Sequence, residues 1–199
     1  MHNIISNGAP QFPDLFCDDV LRLETRRLWL RWPTYSDAAR LHQIASMEAV
    51  ARPTATWPHP LPEGEALRRI EKARANNALG NSLVLALAEK AAPDVLIGLI
   101  GVGTEDGAPG IVSVGYMLGV EHQGYGLMTE AVRAVTNAVF RYTSFAAVRG
   151  ASGLTNAASR RVMEKAGFRR IGQRSHPAPA RGGKVACDEL ELTRGEWSG

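Results

Sequence analysis

The stretch from Val114 to Ala131 reads VGYMLGVEHQGYGLMTEA and decides the fold. Its first part is typical of a strand, and its last part opens an amphipathic helix that we predict from Leu127 to Tyr142. Between them, Gly124 and Gly126 indicate a tight turn. Such a turn points several backbone N–H groups at one place, at the positive end of the helix dipole, and therefore predicts an anion site. An ordinary strand-to-helix turn also favours glycine, so the two glycines alone leave both interpretations open.

A second glycine-containing run, Gly98 to Gly103, follows a strand-like segment as a dinucleotide-binding turn would. The residues after it, Thr104 to Gly110, read TEDGAPG and cannot open a helix. No helix dipole is available there, and we interpret the run as part of a strand.

The segment from Asn156 to Phe168 reads NAASRRVMEKAGF and predicts a second helix, from about residue 157 to 166. Asn156 suits its N-cap and Gly167 its C′ position. The capping interpretation by itself accounts for Asn156, and a functional role needs other support.

The remaining pattern indicates one α+β domain. Residues 1–22 form an N-terminal extension without sustained periodicity, although Phe12, Leu15 and Phe16 can dock on the body, and the domain spans 23–197. Three consecutive strand-like runs precede the glycine turn and indicate an antiparallel meander. Two more strands, Phe168–Ile171 and Cys187–Leu192, end the chain, with a loop predicted over Pro177–Lys184.

Composition excludes several classes of protein. The 199 residues carry a net charge of +3, and no block of lysine and arginine suggests a nucleic-acid-binding arm. The longest apolar run, Val95 to Val102, is too short to cross a membrane, and the N-terminus does not resemble a signal peptide. With only Cys17 and Cys187, we expect reduced thiols and a cytoplasmic protein. No His, Cys and acid cluster has metal-ligand spacing, so we expect no metal.

Taken in order and at this separation, the two segments resemble the GNAT N-acetyltransferases, and more narrowly the branch that contains the ribosomal-protein N-terminal (alanine) acetyltransferases. The resemblance extends from Leu23–Leu28, which is typical of the first strand of that branch, to Asp188–Trp197. It implies the GNAT acyl-CoA N-acyltransferase fold: a mixed, mostly antiparallel twisted sheet of about seven strands, splayed at its central strands and flanked by about four helices.

The resemblance also implies roles for particular residues, with acetyl-CoA as co-substrate. Ser159 and Asn156 are the expected catalytic residues, next to the thiol and the CoA arm. The acceptor side is expected to include Trp57, His59 and Ser113, although Trp57 is equally typical of a core residue. Arg160 and Arg161 can reach the nucleotide phosphates or remain solvated. The remaining positions expected to bind the pantetheine arm and the pyrophosphate are Met117, Leu118, Val120, Gln123, Gly124, Tyr125, Gly126 and Leu127.

Three positions depart from the pattern of the family. Glu121 stands where glutamine or arginine is common, Met163 replaces the tyrosine that protonates the thiolate, and Ser113 replaces a frequent acid. Ser159 is then the candidate proton donor. The general base is not visible, and the residues that remain as bases acting through water are Glu63, Glu65, Glu105 and His122.

We therefore expect direct attack of a primary amine, either a protein N-terminal α-amine or a small-molecule amine, on acetyl-CoA. Neither cysteine matches a nucleophile position, which disfavours an acyl-enzyme. The alternative is a catalytically weak or inactive CoA-binding sensor or interaction module of the same fold. A nucleic-acid-binding protein is a third interpretation, suggested by the basic isoelectric point and opposed by the lack of a clustered patch. We expect no direct nucleic-acid or membrane partner, and a homodimer remains open.

Overall fold

The computed structural model describes residues 12–104 and 107–199. Within these ranges one sheet contains eight strands in the order β1-β2-β3-β4-β5-β6-β8-β7. The strands are β1 (Arg22–Glu24), β2 (Leu28–Arg31), β3 (Ser82–Glu89), β4 (Gly98–Thr104), β5 (Ile111–Leu118), β6 (Ala147–Gly153), β7 (Arg169–Ala178) and β8 (Gly183–Thr193).

Five α-helices cover the two faces of this sheet: α1 (Ala38–Ala45), α2 (Glu48–Ala51), α3 (Glu65–Ala78), α4 (Leu127–Tyr142) and α5 (Ala157–Lys165). The apolar side chains of α4 and α5 pack with those of the strands in the larger core cluster. A smaller cluster on the other face joins α1 and α3 to Trp57 and Met117. The predicted α+β class and mostly antiparallel sheet are confirmed. The counts exceed the expected ones because β1 has three residues and α2 is a single turn.

The central strands part from each other after a short seam. Strands β5 and β6 are parallel and pair only through Ile111–Ser113 and Ala147–Arg149, whereas the other neighbouring strands are antiparallel. Gly150 is the first residue of β6 past the seam. A Cβ built on it would lie 2.4 Å from Met163 Sδ and 3.3 Å from Val114 Cγ1. Met163 and Val114 thus pack tightly against Gly150 at the point where the strands part, and we call these two side chains the wedge.

Two local predictions are wrong. The segment Leu23–Leu28 is not one strand, because the Thr25 hydroxyl accepts a hydrogen bond from Leu28 N (2.9 Å) and closes a turn between β1 and β2. The expected loop Pro177–Lys184 is mostly strand, with Pro177 paired to Lys184 and only residues 179–182 left as the turn. Proline is tolerated there because β7 is an edge strand. The run Gly98–Gly103 lies inside β4, as interpreted above.

The described part of the predicted extension packs on the core. Phe12 and Phe16 are buried, and the Phe12 ring centroid lies 5.4 Å from that of Phe145. Residues 1–11 lie outside the described residues. No helix in the described ranges is long and apolar enough to span a membrane.

A buried ion pair fixes the entry to α1. The Arg31 guanidinium donates to both Asp37 carboxylate oxygens, at 2.7 and 2.8 Å. Thr34 caps the 3₁₀ turn that precedes α1, and its backbone N–H also donates to Asp37. Burial alone would raise the pKa of Asp37, but the hydrogen bonds from Arg31 and Thr34 outweigh it and lower that pKa.

Candidate active site

A cavity of about 1130 Å³ opens where β5 and β6 part. Its lining comes from β5, the glycine turn and α5 on one side, and from α3, the loop before it, β6 and the hairpin of β7 and β8 on the other. Ligand pockets commonly measure about 300–1,000 Å³, so this space is large enough for a nucleotide-sized molecule together with a second reactant.

The glycine turn has the backbone of an anion site. Gly124 (φ 85°) and Gly126 (φ 78°) both have positive φ, a region that a residue with a side chain rarely adopts. Gly126 is the N-cap of α4 and supplies no capping side chain, so the first N–H groups of a 16-residue helix remain available. No described atom lies within 4 Å of a Cβ placed on Gly124. The Gln123 amide fixes the turn by donating to Leu118 O at 2.9 Å.

The glycine turn is stabilised by residues that were not expected in the site from the sequence. Arg27 Nη1 donates to Tyr125 O (2.9 Å), and Arg27 Nε pairs with Glu130 Oε2 (2.8 Å). Thr25 Oγ1 donates to the other oxygen of Glu130 at 2.6 Å. Burial alone would raise the pKa of Glu130, and these hydrogen bonds lower it. The segment Leu23–Leu28 is part of the family resemblance described above. Its hydrogen bonds to Tyr125 and Glu130 show that it stabilises the glycine turn and the start of α4.

The unexpected acid at Glu121 is neutralised by a cation that is distant in sequence. Its carboxylate forms an ion pair with Arg40 of α1. Its own backbone N–H and then Arg40 lower the pKa of Glu121, which is therefore ionised and paired. The neighbouring His122 lines the cavity, and its Nδ1 lies 2.9 Å from Glu89 Oε1.

At the start of α5, Asn156 and Ser159 both line the cavity, and both also have structural partners. Asn156 Oδ1 accepts a hydrogen bond from Ser159 N (3.1 Å), as an N-cap does, so only its NH₂ group is left for a ligand. The Ser159 hydroxyl lies 3.0 Å from the hydroxyl of Tyr116 on β5, and that phenol lies 3.1 Å from Ser159 O. Burial raises the pKa of Tyr116 to about 12.

Tyr116 was not identified as a site residue from the sequence, although it stands in the quoted segment. The position where the family has a tyrosine is Met163, which is 1% exposed and packs against Gly150 as part of the wedge. A phenol is therefore present beside Ser159, but it comes from β5 and not from α5. Only the register of β5 against α5 reveals this contact.

The positions expected on the cofactor side are divided by the structure. Met117, Leu118, Gln123, Gly124, Gly126 and Leu127 line the cavity. Val120 and Tyr125 do not: Val120 is on the 3₁₀ turn that follows β5, and the Tyr125 side chain is 67% exposed. Their side chains do not face the cavity, which leaves only their backbone groups for the expected role.

On the acceptor side, Trp57 and Ser113 line the cavity and His59 does not. The Trp57 ring is in the smaller core cluster, and Arg69 Cζ lies 4.2 Å from the centroid of the ring. Trp57 is therefore both a core residue and part of the cavity wall. His59 has its Nδ1 buried among the residues of the loop before α3.

The bases considered from the sequence are mostly engaged or distant. Glu65 lines the cavity, but Arg69 (2.6 Å) and Arg68 (2.8 Å) bind its carboxylate, and the hydrogen bond from Arg69 first of all lowers its pKa. Glu63 does not line the cavity, and Glu105 lies outside the described residues. The cavity wall includes another carboxylate, Glu189 of β8, and an imidazole, His176 of β7, to which the sequence analysis gave no role.

No group of three or more potential metal ligands occurs among the residues that the structure describes. What the geometry provides is a glycine turn at an uncapped helix N-terminus, a gap between two strands and a hydroxyl pair, all at one cavity.

Solved structures share this fold. The ribosomal L7/L12 α-N-protein acetyltransferase RimL, in complex with coenzyme A, superposes with a TM-score of 0.76 at 16% identity, over 87% of this chain and 98% of its own. The microcin C7 self-immunity acetyltransferase MccE, in complex with acetyl-CoA and AMP, gives a TM-score of 0.73 at 16% identity, over 84% and 93% of the two chains.

The sequence comparisons identify the family. The probable N-acetyltransferase YjcK of Bacillus subtilis is 41% identical over 59 residues, which is 30% of this chain and only 33% of YjcK. The family described as acetyltransferase (GNAT) domain matches residues 27–169, more than half of the chain. The chain belongs to the GNAT acetyltransferase family.

Proposed function

We propose that the protein is an acetyl-CoA-dependent N-acetyltransferase in which a primary amine attacks the thioester directly. The observation that carries this proposal is the glycine turn at the N-terminus of α4, which faces the cavity at the opening of the sheet. A phosphate group and an extended thioester arm need these two features side by side.

The residues present fit acetyl-CoA. The N–H groups of Gly124 to Leu127 would hold the pyrophosphate, and the backbone of Met117 and Leu118, past the seam with β6, would hydrogen-bond the pantetheine arm. A Cβ on Gly115 would meet no described atom within 4 Å, so the face of β5 is uncovered there. Arg161 and Lys165 line the same cavity and add positive charge.

The hydroxyl pair supplies the proton that the leaving group needs. The amine nitrogen forms the new C–N bond, the C–S bond breaks, and the thiolate takes the proton of Ser159 Oγ. The proton that the nitrogen loses as it becomes an amide returns to Ser159 Oγ through solvent. The Tyr116 hydroxyl lies 3.0 Å from Ser159 Oγ, and when it donates to that oxygen it favours the transfer. Because burial raises the pKa of Tyr116 to about 12, the phenol stays protonated at neutral pH.

Direct transfer is favoured over an acyl-enzyme. Burial first of all raises the pKa of both thiols, Cys17 and Cys187, and each thiol donates a weak hydrogen bond to a backbone carbonyl. A thiol with a raised pKa is a poor nucleophile, because the thiolate is the reactive form. Neither cysteine lines the cavity.

The acceptor that suits this site best is an α-amine or a similarly weak amine. A free α-amine has a pKa of about 8 and a lysine amine one of about 10.4, so deprotonating lysine costs about 3 kcal/mol more at neutral pH. RimL, by its name, acts on the N-terminus of a ribosomal protein. We extend that acceptor class, a peptide N-terminus or a small α-amino compound, to this chain.

The test combines acetyl-CoA binding with turnover. Calorimetry compares wild type with Gly124→Ala and with the matched control Gly110→Ala. Gly110 (φ 83°) lies in the β4–β5 connection, away from the cavity, and alanine is strained by a positive φ at both positions. We expect micromolar binding for wild type and Gly110→Ala, and at least tenfold weaker binding for Gly124→Ala. Thiol release is then followed with peptides that begin with alanine, amino amides and polyamines. Binding without turnover on any amine would favour the sensor alternative, and no binding would overturn the proposal.

A further inference from the structure

Glu189 lies in the cavity wall and has no role in the reaction described so far. In the register of the sheet it lies opposite Ala151 of β6 and Gly172 of β7. One cross-strand neighbour thus carries only a methyl group and the other has no side chain. Since directly opposite residues are the ones that cover each other on a sheet face, nothing large covers Glu189 from either side.

The position of Glu189 relative to the seam places it at the opening of the sheet. The last paired residues of β5 and β6 are Ser113 and Arg149. Ala151, the partner of Glu189, is two residues further along β6, which is about 7 Å past the seam. This is the level at which β5 and β6 have separated and where the thioester arm would reach the acceptor side.

Two side chains of β7 contact the carboxylate of Glu189, but at distances longer than those of a tight ion pair. Arg174 Nε and His176 Nε2, both on β7, each lie 3.4 Å from its Oε1, and the side chain is 15% exposed. By comparison, the next acid on the same face of β8, Glu191, is bound tightly by Arg149 at 2.6 Å. His176 Nε2 is buried and makes no closer hydrogen bond within the described ranges.

Other acids near the cavity are already engaged. Asp188 faces the opposite side of the sheet and accepts hydrogen bonds from Arg160, Arg170 and Gln173. Glu65 is held by two arginines, as described above. Of the two described acids that line the cavity, Glu65 and Glu189, Glu189 is the one whose carboxylate is held less tightly, by contacts of 3.4 Å against 2.6 and 2.8 Å for Glu65.

We infer that Glu189 binds the ammonium group of the acceptor and removes its proton, with Arg174 and His176 as positioning residues; this inference rests on the proposed function. One N–H proton of R–NH₃⁺ passes to the carboxylate and then to solvent. The neutral amine forms the C–N bond, the C–S bond breaks, and the thiolate takes the proton of Ser159 Oγ. The second proton that the nitrogen loses then returns to Ser159 Oγ through solvent. The acceptor class is thus a primary amine that arrives protonated.

The test compares an acceptor that arrives charged with one that arrives uncharged. Glu189→Gln keeps the shape of the side chain, and Glu71→Gln, on the exposed face of α3, is the matched control. For the panel amine with the highest turnover, we expect Glu189→Gln to lower kcat/KM about a hundredfold at neutral pH. An acyl hydrazide, whose terminal NH₂ is uncharged at neutral pH, should lose less than threefold in the same variant, and acetyl-CoA binding by calorimetry should be unchanged.

A pH profile adds a readout that a merely structural role would not move. In Glu189→Gln, kcat/KM for the amine should rise tenfold per pH unit up to the pKa of the free amine, because only the neutral amine reacts. The titratable and charged groups on the same face of the sheet, Arg174, His176, Arg149 and Glu191, are retained in this variant.

The outcomes separate the two proposals. Equal losses for amine and hydrazide, or activity equal to that of wild type, would overturn the role of Glu189 and leave the proposed function standing. Wild-type protein that binds acetyl-CoA and acetylates nothing would overturn both.

Discussion

The phenol oxygen of Tyr116 lies 3.0 Å from the hydroxyl oxygen of Ser159, and the two residues come from β5 and α5. The contact joins the strand that borders the opening of the sheet to the helix that closes it. The same phenol lies 3.1 Å from Ser159 O, so its single proton has two acceptors on one residue. Donation to the carbonyl leaves Ser159 Oγ as a donor to the phenol, whereas donation to Oγ frees the serine proton for a leaving group.

We expect Ser159→Ala to lower kcat about a hundredfold, because it removes the group that protonates the thiolate. Tyr116→Phe should lower kcat about tenfold, with less than a threefold change in the KM for acetyl-CoA, since it removes one hydrogen bond to Ser159. The double variant should resemble Ser159→Ala, because the phenol acts through the serine. Steady-state kinetics measures all three, with the exposed Tyr35→Phe as control. Losses that simply multiply in the double variant would contradict a shared role.

Glu121 should tolerate the loss of its charge better than the loss of its partner. We expect Arg40→Ala to weaken acetyl-CoA binding several-fold, because it leaves an ionised carboxylate beside the glycine turn. Glu121→Gln should bind at least as well as wild type, and adding it to Arg40→Ala should restore binding. Calorimetry at low and high salt measures this, since screening reduces the effect of an exposed charge. Equal weakening by both single variants would show that the ion pair matters for structure and not for charge.

The wedge at Gly150 should be sensitive to one added methyl group. Gly150→Ala places a Cβ 2.4 Å from the sulfur of Met163, and we expect it to lower the free energy of unfolding by about 1–3 kcal/mol. Met163→Ala should by itself cost about 2–5 kcal/mol, and the two together should cost less than their sum, because the second change makes room for the first. Urea unfolding of wild type, the two single variants and the double variant completes this double-mutant cycle. Gly115→Ala is the matched control on β5, where no described atom lies within 4 Å of the added Cβ, and additive losses would rule out the wedge.

The pair of Arg31 and Asp37 should give the protein a defined acid sensitivity. Asp37→Asn leaves a buried guanidinium without its carboxylate, and we expect a loss of about 3 kcal/mol at neutral pH. Since the folded-state pKa of Asp37 lies below its ordinary value of 3.8, the contribution is full above that value and is lost as the pH falls through the folded-state pKa. The deficit of Asp37→Asn should therefore shrink below about pH 4. The exposed Asp19→Asn serves as control and should cost less than about 1 kcal/mol at any pH. A deficit that is constant down to low pH would contradict this assignment.

Local pattern was enough for the segment around the glycine turn. Helix α4 runs from Leu127 to Tyr142 as predicted, because its apolar period is long and its start is marked by Gly126. The same reasoning failed for the last hairpin, where Pro177 and the glycines near it suggested a loop. Proline opposes a strand only where its missing N–H is needed, and whether a strand is an edge strand depends on the whole sheet.

Site residues divide along the same line. Asn156 and Ser159 were predicted from one contiguous segment, and both line the cavity. Tyr116 and Glu189 were missed because their importance depends on neighbours from other segments, Ser159 for one and Ala151 with Gly172 for the other. Arg40 and Arg27 were missed for the same reason. Ion pairs across sequence separations of 81 and 103 residues leave no local signal.

The seam between β5 and β6 joins the two parts of the sheet by only three pairs of residues. Beyond the seam, the edge of β5 has backbone N–H and C=O groups that do not pair with β6. A ligand lying along β5 past Ser113 would supply those partners, so binding would extend the ladder across the gap. Each tenfold excess of such a ligand over its Kd would add about 1.4 kcal/mol to the free energy of unfolding. The reactant would then be a structural element of the sheet for as long as it stays bound.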